Sequence, residues 1–196
     1  MSAPIVGVLA LQGDFREHIA VLRSLGADAR PIRRPEELAE VAGLVIPGGE
    51  SSVMDKLARA FGLAEPLKAA VACGLPVYGT CAGLILLADR LLDGINGQQT
   101  FGGFDIAVRR NAFGSQLDSF ETDLDIPELG EQPLHAVFIR APVIEDCGPG
   151  VTPLATLPDG RVVAARQGNL LGTSFHPEMT GDTRFHELFL RMVESA

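Results

Sequence analysis

The sequence predicts an α/β fold in which a doubly wound, mostly parallel sheet is flanked by helices and is followed by a β-rich second half on the same domain. The apolar runs at residues 5–11 and 43–46 are continuous rather than alternating, which is typical of strands buried on both faces of a parallel sheet. Each run ends in glycine-containing turn residues that precede a helical pattern. This alternating order favours parallel strands joined by right-handed crossovers.

Strand-like runs and helical patterns alternate over the first 92 residues. Gly26 and Gly74 each end a helical pattern, and Pro35 stands in the first turn of a short helix, a position where its missing N–H is tolerated. The predicted strands cover residues 5–11, 29–33, 43–46 and 76–78. The predicted helices cover residues 19–25, 35–38, 52–61, 65–73 and 84–92.

The pattern changes after about Gly94. Strand-like pieces at residues 104–108, 136–139 and 162–165 are separated by Gly, Pro and Asp turns, which predicts a partly antiparallel region. Residues 183–194 form an amphipathic helical pattern. Since a domain typically has about 150 residues, the 196 residues are expected to form one domain, 1–196.

Composition excludes several classes of protein. The formal net charge is −9, and the basic runs are no longer than the pairs Arg33-Arg34 and Arg109-Arg110, so we expect no nucleic-acid partner. No apolar run reaches the roughly 18 residues needed to cross a bilayer, and no secretory signal pattern is visible, so we expect no membrane association. The three cysteines lack CxxC spacing and are interpreted as free thiols in a reducing cytoplasm.

The strongest chemical signal is the string Gly79-Thr80-Cys81-Ala82-Gly83 between a strand and a helical pattern. This is the form of a nucleophile elbow, where glycines on both sides allow a tight turn that exposes the nucleophile. A helix N-terminus also favours the thiolate form of a cysteine. The alternative, a buried structural cysteine, suits Cys73 and Cys147 better than Cys81.

His176 is the best candidate for the base that a cysteine nucleophile needs. In an extended segment, residues two apart point to the same side, so Glu178 can lie beside the imidazole of His176. His18 and His186 lie in helical patterns and are interpreted as either solvent-facing or hydrogen-bonded within the protein, whereas His135 has no adjacent acid in the sequence. The sequence therefore predicts a catalytic triad of Cys, His and Glu.

The string Pro47-Gly48-Gly49-Glu50-Ser51 follows a strand and is compatible with an oxyanion hole, because its glycines leave backbone N–H groups accessible. An ordinary turn is the alternative, as it is for Gln12-Gly13 after the first strand. The string lacks the Lys-Ser/Thr ending of a phosphate loop. His and Cys pairs with ligand spacing are absent, so we expect no metal and no cofactor.

Three strings together, at residues 47–51, at residues 79–83 and Ser174-Phe175-His176-Pro177-Glu178, resemble the class I glutamine amidotransferase family, and within it the glutaminase subunits of pyridoxal phosphate synthases. The narrower resemblance extends over nearly the whole chain. It is carried by the strings at residues 7–13, 49–52, 110–114, 118–121 and 138–142.

The resemblance implies a role for each matched residue. Cys81 would form a glutamyl thioester, with His176 and Glu178 completing the catalytic triad. The backbone N–H groups of Gly49 and Ala82 would form the oxyanion hole. The positions that would bind glutamine are Gly49, Glu50, Ser51, Arg110, Ile139 and Arg140. Residue chemistry alone does not distinguish Arg110 from Arg109, and a solvent-exposed pair is the alternative for both.

The resemblance also implies a partner. In this family ammonia passes to a synthase subunit that makes pyridoxal 5'-phosphate from ribose 5-phosphate and glyceraldehyde 3-phosphate, within a large hetero-oligomer. Gln12 and Gly13 would lie near the docking face, and a flexible Gly48-Gly49 turn could hold the oxyanion hole incomplete until the partner binds. The alternatives are a glutaminase for another acceptor synthase, a stand-alone cysteine hydrolase, or a catalytically silent interaction module.

Overall fold

The computed structural model describes residues 3–113 and 119–196. Two residues of the family strings, Gly114 and Asp118, lie outside the described residues. The strands are β1 Ile5–Leu9, β2 Asp28–Ile32, β3 Gly43–Ile46, β4 Val77–Thr80, β5 Ala88–Leu92, β6 Phe104–Arg109, β7 Ser119–Leu124, β8 Leu134–Ile139, β9 Val143–Cys147, β10 Thr152–Thr156, β11 Val162–Gln167 and β12 Leu170–Thr173. The α-helices are α1 Phe15–Ser24, α2 Pro35–Leu38, α3 Ser51–Ala60, α4 Ala64–Ala72, α5 Ala82–Leu87 and α6 Arg184–Glu194.

Ten of these strands form one sheet in the order β2-β1-β3-β4-β12-β11-β9-β6-β5, with β10 paired to β11. The first five strands of this order are parallel to one another. From β11 onward most pairs are antiparallel, and β5 and β6 form a final parallel pair. The predicted α/β class and the β-rich second half are confirmed.

Helices cover both faces of the sheet, so its central strands are buried on both sides. In β3, Leu44 and Ile46 pack into a core beneath α3, α4 and α5, while Val45 packs into a second core beneath α1 and α6. Each is fully buried, and burying such a side chain stabilises the fold by roughly 1.5–3 kcal/mol. This explains why the sequence of β3 is continuously apolar.

The helix predicted at residues 84–92 is wrong beyond Leu87. The chain becomes extended at Ala88, with φ −64° and ψ 137°, and residues 88–92 form β5, which pairs in parallel with β6. The backbone N–H of Phe101 donates to the Leu86 carbonyl at 2.6 Å and satisfies an acceptor at the helix end. The Ala- and Leu-rich run has helical propensity, but pairing with β6 overrides that preference.

A separate two-stranded sheet, formed by β7 and β8, packs its aromatic face against the main body. Phe120 and Phe138 stack at 4.5 Å between ring centroids, and Phe138 contacts Phe175 at 5.5 Å. The backbone N–H of His176 donates to the Val137 carbonyl at 3.0 Å, which ties this hairpin to the segment after β12. Within the described ranges, no helix is long and apolar enough to cross a membrane.

Candidate active site

A pocket of about 410 Å³ lies at the carboxyl ends of the parallel strands. The segments that follow β1, β3 and β4 all line it, and His176 enters from the segment after β12. In open α/β sheets this edge is where ligands bind, because the loops after parallel strands converge there.

Cys81 lies at the N-terminus of α5 in a strained backbone conformation, with φ 49° and ψ −102°. The turn around it has no room for larger neighbours, since a Cβ on Gly83 would lie 2.0 Å from the Ile46 carbonyl oxygen. A Cβ on Gly79 would lie 2.6 Å from backbone atoms of Gly83. The two glycines of the predicted elbow are therefore required by close backbone packing.

The imidazole of His176 is held by carboxylates from two parts of the chain. Its Nδ1 lies 2.7 Å from Oε1 of Glu178 and 3.1 Å from Oδ2 of Asp14. A nitrogen between two acceptors carries the hydrogen, so Nε2 is the ring nitrogen left for Cys81. The sequence-predicted Cys81, His176 and Glu178 are thus brought together, with Asp14 as an additional member.

The charges of this cluster are strongly coupled. Burial opposes the charged form of His176, but hydrogen bonds with Asp14, Cys81 and Glu178 outweigh it and raise the pKa of the imidazole above its ordinary 6.5. Burial raises the pKa of Glu178 from 4.5 to about 7. Burial also opposes ionisation of Asp14, yet its hydrogen bonds with His176 and Glu178 lower the pKa of this carboxyl well below its ordinary value.

A second layer of buried polar groups lies behind Glu178. His18 Nε2 lies 3.1 Å from Thr80 Oγ1 and 3.5 Å from Glu178 Oε2, and His18 Nδ1 lies 2.9 Å from His186 Nε2. Burial lowers the pKa of His186 to about 4. Burial, together with the neighbouring His186, lowers the pKa of His18 well below its ordinary 6.5. Both histidines are therefore neutral, hydrogen-bonded parts of the core, so of the two sequence interpretations the solvent-facing one is wrong.

His135 differs from its sequence interpretation. It has no acid beside it in the chain, but pairing of β7 with β8 places its ring nitrogens 2.8 Å from Asp123 and 2.9 Å from Glu121 on the hairpin surface. These two hydrogen bonds raise the pKa of His135. The group lines no part of the pocket.

The far end of the pocket carries polar groups suited to an amino acid. Arg110 Nη2 donates to Glu50 Oε1 at 2.9 Å, and its Nη1 donates to Gln98 Oε1 at 3.0 Å. Gln98 Nε2 in turn donates to the Ser51 hydroxyl at 2.9 Å. Arg109 instead pairs with acids on the neighbouring strand and loop, so of the two arginines only Arg110 lines the pocket.

Ile139 and Arg140 complete the pocket wall at the end of β8. The carbonyl oxygen of Ile139 lies 3.9 Å from Sγ of Cys81. Arg140 adopts φ 44°, a left-handed conformation that ends the strand beside the nucleophile. Both residues, to which the resemblance assigned glutamine binding, therefore line the same pocket as Cys81 and His176.

The candidate oxyanion donors, Gly49 and Ala82, line the same pocket. Ala82 is the first residue of α5, so its N–H has no partner within the helix. Gln12 fixes the turn that contains Gly49, because its side-chain oxygen accepts from the Glu50 N–H at 2.8 Å. The backbone of residue 13 lies so close to Gly48 that only glycine fits there, since a Cβ would lie 1.8 Å from the Gly48 carbonyl oxygen.

Sequence reasoning missed two polar residues of the site, Asp14 and Gln98. Asp14 follows Gly13 directly but belongs to no catalytic motif, and Gln98 lies in a loop with no distinctive pattern. One polar atom each of Asp14, His18 and Glu178 lies within 4.8 Å of the other two, so the carboxylates around His176 and the histidine behind them form one compact polar cluster. These three residues are far apart in the sequence, and no local pattern indicates that they meet.

Comparison with known proteins identifies the family. The model of the SNO glutamine amidotransferase family matches residues 8–195. The chain belongs to this glutamine amidotransferase family. The amidotransferase is 71% identical over 191 residues to a protein of Leifsonia xyli subsp. xyli named pyridoxal 5'-phosphate synthase subunit PdxT, with 97% of this chain and 96% of the relative covered. A Streptomyces coelicolor protein of the same name is 58% identical over 192 residues, with 98% and 95% covered.

Solved structures agree with the fold of the amidotransferase. One described as a glutamine amidotransferase superposes with a TM-score of 0.89 at 47% identity, covering 96% of this chain and 98% of the other. A Thermoplasma acidophilum protein described as part of a GMP synthase superposes with a TM-score of 0.73 at 17% identity, covering 100% and 96%. At 17% identity, the similarity to this second structure shows only that the two proteins share a fold.

Proposed function

We propose that this amidotransferase hydrolyses L-glutamine to L-glutamate and ammonia, and that it is the glutaminase subunit of a pyridoxal 5'-phosphate synthase. The observation that carries the proposal is the convergence of Cys81, on a strained turn, with His176, whose Nδ1 is held by Glu178 at 2.7 Å. A nucleophile, its base and the group that orients the base are the parts required for acyl transfer.

The reaction follows from this arrangement. The Cys81 thiolate attacks the side-chain carboxamide carbon of glutamine, and the developing oxyanion is stabilised by the N–H groups of Gly49 and Ala82. Removing one such donor typically costs about 3–4 kcal/mol of barrier. Nε2 of His176 donates the proton that lets ammonia leave, then takes a proton from the water that hydrolyses the glutamyl thioester.

The polar end of the pocket orients the substrate. The guanidinium of Arg110 suits the α-carboxylate of glutamine, because its fork can donate to both oxygens. The carboxylate of Glu50 can accept hydrogen bonds from the α-ammonium, with the Ser51 hydroxyl beside it. Ile139 and Arg140 close the wall next to the reacting carboxamide. Since Glu50 and Arg110 already pair at 2.9 Å, substrate binding exchanges this ion pair for contacts to the zwitterion.

The names of the relatives support a synthase partner. Proteins 54–71% identical over nearly the full chain are named subunits of pyridoxal 5'-phosphate synthase. We infer that the ammonia passes to a synthase subunit that uses ribose 5-phosphate and glyceraldehyde 3-phosphate, within a large cytoplasmic hetero-oligomer. The tie between Gln12 and the Gly49 turn supports the proposed docking role of Gln12 and Gly13, because it links them to the oxyanion donor. The same names disfavour another acceptor synthase or a stand-alone hydrolase.

Ammonia release from glutamine, with and without the cognate synthase subunit, tests the proposal, with Cys81→Ala as the blank. We expect release that rises with the partner and disappears in the variant. Size-exclusion chromatography with light scattering on the mixture tests the hetero-oligomer. Glutamine hydrolysis that is unchanged by the partner would refute the coupling. Absence of release with the partner present, combined with turnover of peptides or esters, would refute the glutaminase assignment.

A further inference from the structure

The imidazole of His176 has one carboxylate more than a Cys-His-Glu triad requires. Glu178 reaches Nδ1 at 2.7 Å from two residues along the chain. Asp14 reaches the same nitrogen at 3.1 Å from the loop between β1 and α1. A triad needs only one acceptor to orient its base, so the position of Asp14 calls for a separate explanation.

Asp14 is held in place by its surroundings as well as by the imidazole. Its backbone N–H donates to the Gly48 carbonyl at 3.3 Å, which joins the loop before α1 to the turn that carries Gly49. Its side chain is 21% exposed and lines the pocket, whereas the Glu178 side chain is fully buried. Oδ1 of Asp14 and Oε2 of Glu178 are both buried without a hydrogen-bond partner among the described residues.

We propose that Asp14 is a positioning residue for glutamine hydrolysis, a second carboxylate that fixes the ring of His176 and stabilises its protonated form. This inference rests on the proposed function, because it assigns a role within the same site. Asp14 acts through His176 and is not itself in contact with the reacting atoms.

The electrostatics of the site give the second carboxylate a role that Glu178 does not fill. Burial raises the pKa of Glu178 to about 7, so near neutral pH this group is only partly ionised. Asp14 remains ionised there, since hydrogen bonds with His176 and Glu178 overcome its burial and lower its pKa. Asp14 thus supplies the constant negative charge. The titratable groups that face His176 are Asp14 and His18 from the α1 region, Cys81 from the start of α5, and Glu178 from its own segment.

The direct test is the titration of His176 by NMR in ¹³C-histidine-labelled protein, with the signal assigned by His176→Asn. An opposite charge at this distance shifts a pKa by about 1–3 units, so Asp14→Asn is expected to lower the pKa of His176 by at least about one unit. The matched control is Glu17→Gln, which removes the same charge from an exposed position on α1. The control should titrate like the unmodified protein.

A second readout comes from turnover. In complex with the synthase subunit, Asp14→Asn should move the alkaline limb of the kcat/KM profile toward lower pH, which reduces activity about tenfold more at high pH than at neutral pH. Asp14→Ala serves as a second variant, and thermal unfolding shows that each variant is folded. Identical His176 titration in Asp14→Asn and Glu17→Gln, together with identical pH profiles of kcat/KM in the two variants, would overturn the proposal. The NMR arm needs no glutamine turnover, so it separates this failure from failure of the proposed function.

Discussion

The packing of Gly48 against the imidazole gives a sharp test of the site. Replacing Gly48 by Ala adds a Cβ that would lie 2.5 Å from Cε1 of His176 and 3.0 Å from Oδ1 of Asp14. The Gly48 backbone lies outside the left-handed region, so the substitution adds steric conflict without backbone strain.

The size of the effect follows from the distance. Ordinary van der Waals contact begins at about 3.4 Å, so the His176 ring must retreat by about 0.9 Å to accept the methyl group. A displacement of this size moves Nε2 relative to the Cys81 thiol. Misplacing a catalytic group by about 1 Å costs about 10²-fold in rate, and we expect kcat for glutamine hydrolysis to fall by that factor.

The assay is ammonia release in complex with the synthase subunit, together with thermal unfolding of each protein. Gly150→Ala is the matched control, because a Cβ there meets nothing within 4 Å and the φ of Gly150 is also outside the left-handed region. We expect the control to keep its activity. A folded Gly48→Ala protein with more than half of the unmodified kcat would refute the assignment of His176 as the base.

Three further predictions follow from other contacts. Gln98→Ala should raise KM for glutamine about tenfold with kcat little changed, because it removes the hydrogen bond that holds Arg110, the proposed binding group for the glutamine carboxylate. Gln99→Ala should leave KM and kcat unchanged. When the pH falls from 7 to 5, the unfolding free energy of the unmodified protein should decrease by about 2 kcal/mol more than that of His186→Gln. Urea unfolding of both proteins at the two pH values measures this difference. Tyr78→Phe should lower the unfolding free energy by about 1 kcal/mol, since its buried hydroxyl lies 3.2 Å from Thr173 Oγ1.

The sign of the pH prediction follows from proton binding. The pKa of His186 is about 4 in the folded protein and 6.5 in the unfolded chain, so the unfolded state binds more protons as the pH falls from 6.5 to 4. Acid therefore destabilises the protein through His186. Glutamine at this position does not titrate, so His186→Gln lacks this contribution. Equal losses of unfolding free energy in the unmodified protein and in His186→Gln would contradict the pH prediction. A larger effect of Gln98→Ala on kcat than on KM would contradict the Gln98 prediction.

Local sequence signals were sufficient for the parallel strands β1 to β4. The strand at residues 43–46 and the helix at residues 35–38 have the predicted bounds, because burial on both faces and a proline at the helix start leave strong local patterns. The error at residues 88–92 arose where pairing with β6 outweighs helix propensity. The strand conformation of residues 88–92 is set by their partner strand, so a short stretch of sequence does not indicate it.

The residues of the site also divide into those with a local sequence signal and those without one. Cys81 could be predicted because a tight turn demands glycines at fixed positions, and Glu178 because it is two residues from His176. Asp14 and Gln98 could not be predicted, since each acts through a contact between segments far apart in the chain. Residue chemistry also did not distinguish Arg110 from Arg109, a choice that the fold makes through the different partners of their side chains.

The position of β12 has a consequence for the order in which this protein acquires chemical reactivity. This late strand lies between β4 and β11 in the interior of the sheet, and the Cys81 N–H donates to the Thr173 carbonyl at its end. A chain still being synthesised can collapse its first strands and helices without a support for the Cys81 turn or a histidine beside it. Because non-local strands pair late, the thiol becomes a competent nucleophile only when the interior of the sheet is complete. Completion of the sheet is thus a precondition for the reactivity of the Cys81 thiol.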